Sequence, residues 1–179
     1  MKKLAFMLAA VVLILAIPGA AFAQKNWNGL VHKGDFAAYV GLGFGWGFTV
    51  VPGVEWAFAD VKVGGVVPLA FGVSGKGIFN FYPGYFSSYG LGALATAHLG
   101  MKGLDLPEFL QNFDFYIGLG VGLSFFSYAS YFYDYGAFRV GFATADGVAY
   151  YFNDKWALYL EGTYWGYSGG AAIGVRYTF

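Results

Sequence analysis

From Phe113 to Phe125 the chain alternates without a break. The odd positions Phe113, Phe115, Ile117, Leu119, Val121, Leu123 and Phe125 are all large and apolar. The even positions between them are Asp114, Tyr116, Gly118, Gly120, Gly122 and Ser124. Successive side chains of a strand point to opposite faces, so this segment reads as a strand with one bulky face and one mostly small one. The pattern returns in "VVPLAFGVSGKGIF", where Val67, Leu69, Phe71 and Val73 oppose Pro68, Ala70, Gly72, Ser74 and Lys76. It returns again in "AAIGVRYTF" and in "VGLGFGWGF", where glycine takes every second position from Gly41 to Gly47.

A water-soluble sandwich or lipocalin-like barrel also alternates, but it keeps its bulk inside and its charge outside. Here the face opposite the large residues is glycine, alanine and serine. The chain is 58% hydrophobic and only 11% charged, whereas an ordinary soluble domain is about a quarter charged. The bulky face therefore reads as lipid-facing. Beyond residue 23 there is no run of roughly 18 apolar residues, the length a membrane-spanning helix needs. A closed β-barrel is the other structure that satisfies every backbone group in lipid, and alternating segments of about ten residues are its signature. The expected fold is all-β: an eight-stranded antiparallel up-and-down transmembrane barrel, a size whose lumen side chains can just fill. Inward glycine allows strong curvature and close approach on the concave side, and a face so small is expected to line the lumen without filling it as a dry core.

The chain divides into three parts. Lys2 and Lys3, the apolar "LAFMLAAVVLILAIPGA" and the "AFA" before Gln24 have the form of a cleaved signal peptide over 1–23. Residues 24–36 then form an N-terminal periplasmic segment and 37–179 the barrel. Its strands are expected at 37–48, 53–61, 66–81, 85–100, 113–127, 136–152, 155–165 and 169–179. The outward loops are "TVVPG", "FYPGYFSS", "YASYFYDYG" and "GYSGG", and the inward turns are "ADVKVGG", "MKGLDLPEFLQN" and "FNDKW". The long turn holds a short helix around residues 106–110. Trp46, Trp156, Tyr177 and Phe179 fall near strand ends, where an aromatic girdle belongs.

Several function classes drop out. The mature chain carries eight Lys/Arg against ten Asp/Glu with no basic cluster, so it lacks the footprint of a nucleic-acid binder. Cysteine is absent, which removes disulfides and thiolate metal sites. No His and carboxylate cluster has metal-ligand spacing, "GLGFGWG" is followed by no helix that would make it a nucleotide loop, and no cofactor is expected. The two histidines are His32, ahead of the first strand, and His98, whose parity turns it inward without a serine two residues on. Nucleophilic catalysis needs a nucleophile, a base and an orienting acid, and the expectation is that the protein is not an enzyme.

Parity places Glu55, Lys76, Asp114, Arg139, Glu161 and Arg176 on the inner face with His98 beside them. Three acids against three bases in a narrow lumen are costly unless paired. The expectation is a network that closes the lumen; the alternative is separate charges facing interior water. Asp146 shares the lipid-facing parity of Phe142 and Val148. A local bulge that reorients the strand is the expected explanation, and contact with another subunit or a substrate is the alternative.

"GVAYYFNDKWALYLEGTYW" followed by "AAIGVRYTF" resembles the closing half of the OmpA-like outer membrane β-barrel family, and "YVGLGFGWGF" resembles its first strand. The resemblance covers nearly the whole mature chain and implies a place in the bacterial outer membrane, with lipid as the surrounding partner. It further implies that an alternating last strand ending in Phe is the signal read by the barrel assembly machinery, which here falls on Val175, Tyr177 and Phe179. Full-length members with a peptidoglycan-binding domain anchor to the cell wall; this chain stops at the barrel, so that role is not implied. The expected role is structural or in surface interaction, as a monomer. The alternative is a small channel for small or hydrophobic solutes, with "YASYFYDYG" as an apolar mouth.

Overall fold

The computed structural model describes residues 29–44, 47–82, 86–129, 134–166 and 168–179. The expected signal peptide and Trp46 lie outside the described residues. Eight strands follow one another: β1 (Phe36–Phe44), β2 (Phe48–Val63), β3 (Val67–Tyr82), β4 (Phe86–Gly100), β5 (Phe113–Ala129), β6 (Asp134–Tyr151), β7 (Trp156–Trp165) and β8 (Ser168–Thr178). Each pairs antiparallel with the next, and β8 pairs with β1 from Ala37↔Thr178 to Leu42↔Ile173, which closes the barrel. No sheet edge is left to lipid, the condition a membrane imposes on any sheet.

Phe36 and Phe179 meet at one end, called the base, with ring centroids 5.7 Å apart. The turns at 64–66 and 152–155 and the loop at 101–112 share that end, and the connections after β1, β3, β5 and β7 lie at the top. Gly64 and Gly65 take φ of 62° and 73°, the pair of positive values at the centre of a type I′ turn, which Val66 N–H to Val63 O closes at 3.2 Å. The long base loop holds one short helix, α1 (Glu108–Gln111).

The largest differences from expectation are in β2, which runs on to Val63 through most of "ADVKVGG"; β5 and β6 likewise extend into "YASYFYDYG" at Ala129 and Asp134. "TVVPG" is not a loop: β2 begins at Phe48 and carries Val51, Pro52 and Gly53 in register with Gly41, Val40 and Tyr39 of β1. Pro52 reads as a turn signal, yet its ring sits on the outer run of a strand, paired with Val40 of β1 where the pairing with β3 skips Val51 and Pro52, so its missing N–H interrupts only one ladder. β2 also carries a bulge between Ala57 and Ala59, which reverses the parity of the residues after it.

The exterior is an apolar belt. Val40, Trp56, Val73, Leu91, Val121, Phe142 and Leu160 are exposed on successive strands, as lipid contact demands. At the base Trp156 packs on Tyr177 at 4.8 Å and Tyr177 on Phe179 at 5.0 Å, an aromatic girdle at the strand ends.

β6 carries no bulge. Its pairing with β5 runs unbroken from Phe113↔Tyr150 to Ala129↔Asp134, and Asp146 faces Ile117 and Gly162. Asp146 is exposed on the outer face, which corrects the expectation that a bulge reorients it. Four residues separate it from Tyr150, about 13 Å along the strand, so it stands well inside the apolar belt.

Candidate functional site

The inward residues form two layers. Toward the base lies a charged belt in which Glu55, Lys76, His98, Asp114, Glu161 and Arg176 are between 0% and 6% exposed. Each is delivered by the two-residue repeat of its strand, and β2, β3, β4, β5, β7 and β8 contribute one apiece. Glu55 is the hub. Its Oε2 accepts a hydrogen bond from Arg176 at 2.6 Å, and its Oε1 accepts from Thr96 Oγ1 at 2.5 Å. That same oxygen lies 2.6 Å from His98 Nε2, while His98 Nδ1 lies 2.7 Å from Asp114 Oδ2. Only an imidazolium donates from both ring nitrogens, and with it the belt holds three cations and three anions. Across the lumen Lys76 pairs with Glu161, which also accepts from the Tyr116 hydroxyl at 2.9 Å.

The structure thus brings together six of the seven charges that parity places inside. Arg139 does not join them. It is exposed near the top of β6, opposite Ser124, while the belt's Asp114 faces Ala149 of the same strand. Ten residues separate 139 from 149, about 33 Å along the strand. Parity assigns a face and says nothing of height.

The second layer, toward the top, is apolar: Val51, Ile78, Leu94, Ala143, Ala145, Trp165 and Ala172 are all buried and form one cluster. It corrects the expectation that the inner face is too small to make a dry core. The glycines are seats for inward aromatic rings. A Cβ on Gly90 would stand 2.5 Å from Trp165 Cε3, and Gly92 and Gly122 border the same indole. Gly147 lies under the Tyr116 ring, Gly53 under Tyr39, and Gly41 and Gly174 under Tyr159. Tyr39, Tyr151, Tyr159 and Trp165 are buried lumen residues that the charge-based reading of the sequence passes over. Their signal was available, since Tyr39 shares parity with Gly41, and Tyr159 and Trp165 share it with Glu161.

Little space remains between the layers. The cavity lined by Tyr39, Glu55, Lys76, Tyr116, Glu161 and Arg176 has a volume of about 10 Å³, the threshold for one water molecule. Around it the Tyr39 hydroxyl is 2.5 Å from Ser74 Oγ, the Lys76 ammonium sits 4.8 Å over the Tyr39 ring, and His98 stacks on Tyr116 at 5.4 Å. Among the described residues no group of three His, Cys, Asp or Glu has the geometry to hold a metal ion; the His98 nitrogens are each engaged by a carboxylate.

Fold and lumen together define a transmembrane barrel whose interior is occupied by its own side chains. It has the architecture of the small eight-stranded, OmpA-like outer membrane barrels. The crystal structure of Ail, the attachment invasion locus protein of Yersinia pestis, aligns over 83% of this chain and 100% of its own, with 14% identity and a TM-score of 0.54. The N-terminal β-barrel domain of Pseudomonas aeruginosa OprF aligns over 82% of this chain and 98% of its own, with 14% identity and a TM-score of 0.53. At that identity the likeness is one of fold. No protein-family model matches the chain, and no curated protein matches it in sequence.

Proposed function

We propose that the mature chain is a monomeric structural barrel of the bacterial outer membrane, non-conducting and non-enzymatic, which contributes to envelope integrity or to interactions at the cell surface. The observation that carries this reading is the charged belt. Its six buried groups neutralise one another across the lumen and leave a residual space of about 10 Å³, whereas an open pore needs a continuous water-filled path. The enzyme reading loses its base, because both nitrogens of His98 are held by carboxylates and His32 is exposed at the base. Val175, Tyr177 and Phe179 all lie on the outer face of the last strand and its end, where the barrel assembly machinery would read them.

Single-channel conductance of refolded Gln24–Phe179 in a planar bilayer tests the reading, beside a variant carrying both Lys76→Ala and Arg176→Ala. The native protein is expected to be silent, and the folded variant to stay nearly so, because the apolar layer around Trp165 still fills the top of the lumen. Reproducible conductance steps from the native protein would overturn the closed-lumen reading in favour of a small channel.

A further inference from the structure

Asp60 occupies a position that the strand repeat would turn toward lipid. The bulge between Ala57 and Ala59 reverses the parity of β2, and Asp60 then pairs with the inward-facing Ala70 of β3. There its Oδ2 accepts a hydrogen bond from the Lys33 backbone N–H at 3.0 Å. Lys33 belongs to the segment 29–35 that runs across the base before β1 starts. Two further bonds tie that segment to β2, Gly34 N–H to Ala57 O at 2.7 Å and Ala57 N–H to Asp35 O at 2.9 Å, and two within it shape its turn, His32 N–H to Asp35 Oδ2 at 2.7 Å and Asp35 N–H to His32 O at 3.0 Å.

The segment inserts an apolar side chain into the lumen. Val31 is 3% exposed and packs in one cluster with Tyr39, Ala57, Ala70, Ala149, Tyr151 and others. Gly100 lets the backbone pass close to β4, since a Cβ there would stand 3.2 Å from Leu30 N. Between Gly29–Val31 and the belt residues His98 and Asp114 no water-sized space is left. A backbone laid over a buried ion pair excludes the water that would otherwise screen and compete with it.

We propose that residues 29–35 form an intramolecular plug, latched by Asp60, that covers the β3–β5 side of the base and keeps the His98–Asp114 pair dry. On the other side of the plug a space of about 210 Å³, lined by Leu30, Tyr151 and Thr178 among others, stays open. The bulge in β2 acquires a purpose: it turns one carboxylate from the lipid face to the place where the plug's backbone needs an acceptor.

The absence of cysteine allows a direct test. Ala70→Cys places a single thiol beside Val31, and its rate of reaction with a charged, membrane-impermeant thiosulfonate is measured on the folded mature chain in lipid vesicles and in detergent micelles. With the native plug the thiol is expected to react slowly. Adding Asp60→Ala is expected to raise the rate by about tenfold or more, the scale set by losing one hydrogen bond to a charged acceptor, and adding Val31→Asp by more. Heat-dependent gel mobility confirms that each variant remains a barrel; if Val31→Asp fails to fold, Asp60→Ala alone decides. A rate that Asp60→Ala leaves unchanged, or a thiol that reacts rapidly behind the native plug, would overturn the proposal.

Discussion

The base half and the top half of the lumen use the same strand repeat and are filled by different physics. At the base, Glu55, His98, Asp114 and Arg176 form one chain of charge-assisted hydrogen bonds, with Lys76 and Glu161 as a second pair. At the top, Trp165, Ile78, Val51 and Leu94 pack without charge, and the indole rests on Gly90, Gly92 and Gly122. A buried charge is tolerated only while its partner is present, whereas a buried ring is tolerated only while the wall opposite stays bare. The two halves should therefore differ in what rescues them: a loss at the base is recovered when the stranded partner is neutralised too, and a loss at the top is not, while the top alone is tested by an added methyl at Gly90.

The largest expected effect is at the base. Arg176→Ala strands the Glu55 carboxylate and should cost about 3–5 kcal/mol, read as a shift in urea unfolding of the barrel refolded in lipid vesicles. Replacing both partners, Glu55→Gln with Arg176→Met, should recover most of that loss, because no unpaired charge is left. A double variant as unstable as the single one would break the electrostatic account of this half. At the top, Trp165→Ala should cost about 3–5 kcal/mol by leaving a cavity, with no such rescue by a second polar change.

Glycine substitutions sharpen the contrast. Gly90→Ala drives a Cβ into Trp165 and Ile78 and should lose about 1–3 kcal/mol. Gly75→Ala, whose added Cβ meets nothing nearer than Val54 at 3.8 Å, should be close to neutral in the same unfolding measurement. Equal losses at both sites would mean that the glycines serve backbone conformation rather than the seating of rings. The smallest effect is on the outside. Asp146→Leu removes a lipid-facing carboxylate and should stabilise the barrel by about 1 kcal/mol; a loss instead would mean that Asp146 meets a partner in the membrane.

The number of strands, their order and the face of nearly every residue are legible in the sequence, because a membrane barrel leaves few alternatives to a strict two-residue repeat. The same repeat identifies the belt's charges. It misplaces Arg139 among them, since parity has no vertical coordinate, and it is silent on Asp60, whose parity is reversed by a bulge that no residue between Trp56 and Asp60 announces. It also undervalues Tyr39, Tyr159 and Trp165, which look like interruptions in a small-residue face and are its filling.

What the sequence by itself determined is a closed barrel with apolar residues outside and small residues with balanced charges inside, because lipid demands apolar side chains and a fully paired backbone at every point along a strand. Only the tertiary structure decided which inward residues meet. The stagger of eight strands sets their heights, so that Glu55 finds Arg176, 121 positions away, while Arg139 is left at the top; contacts across a lumen depend on the register of the whole ring, which no single segment encodes.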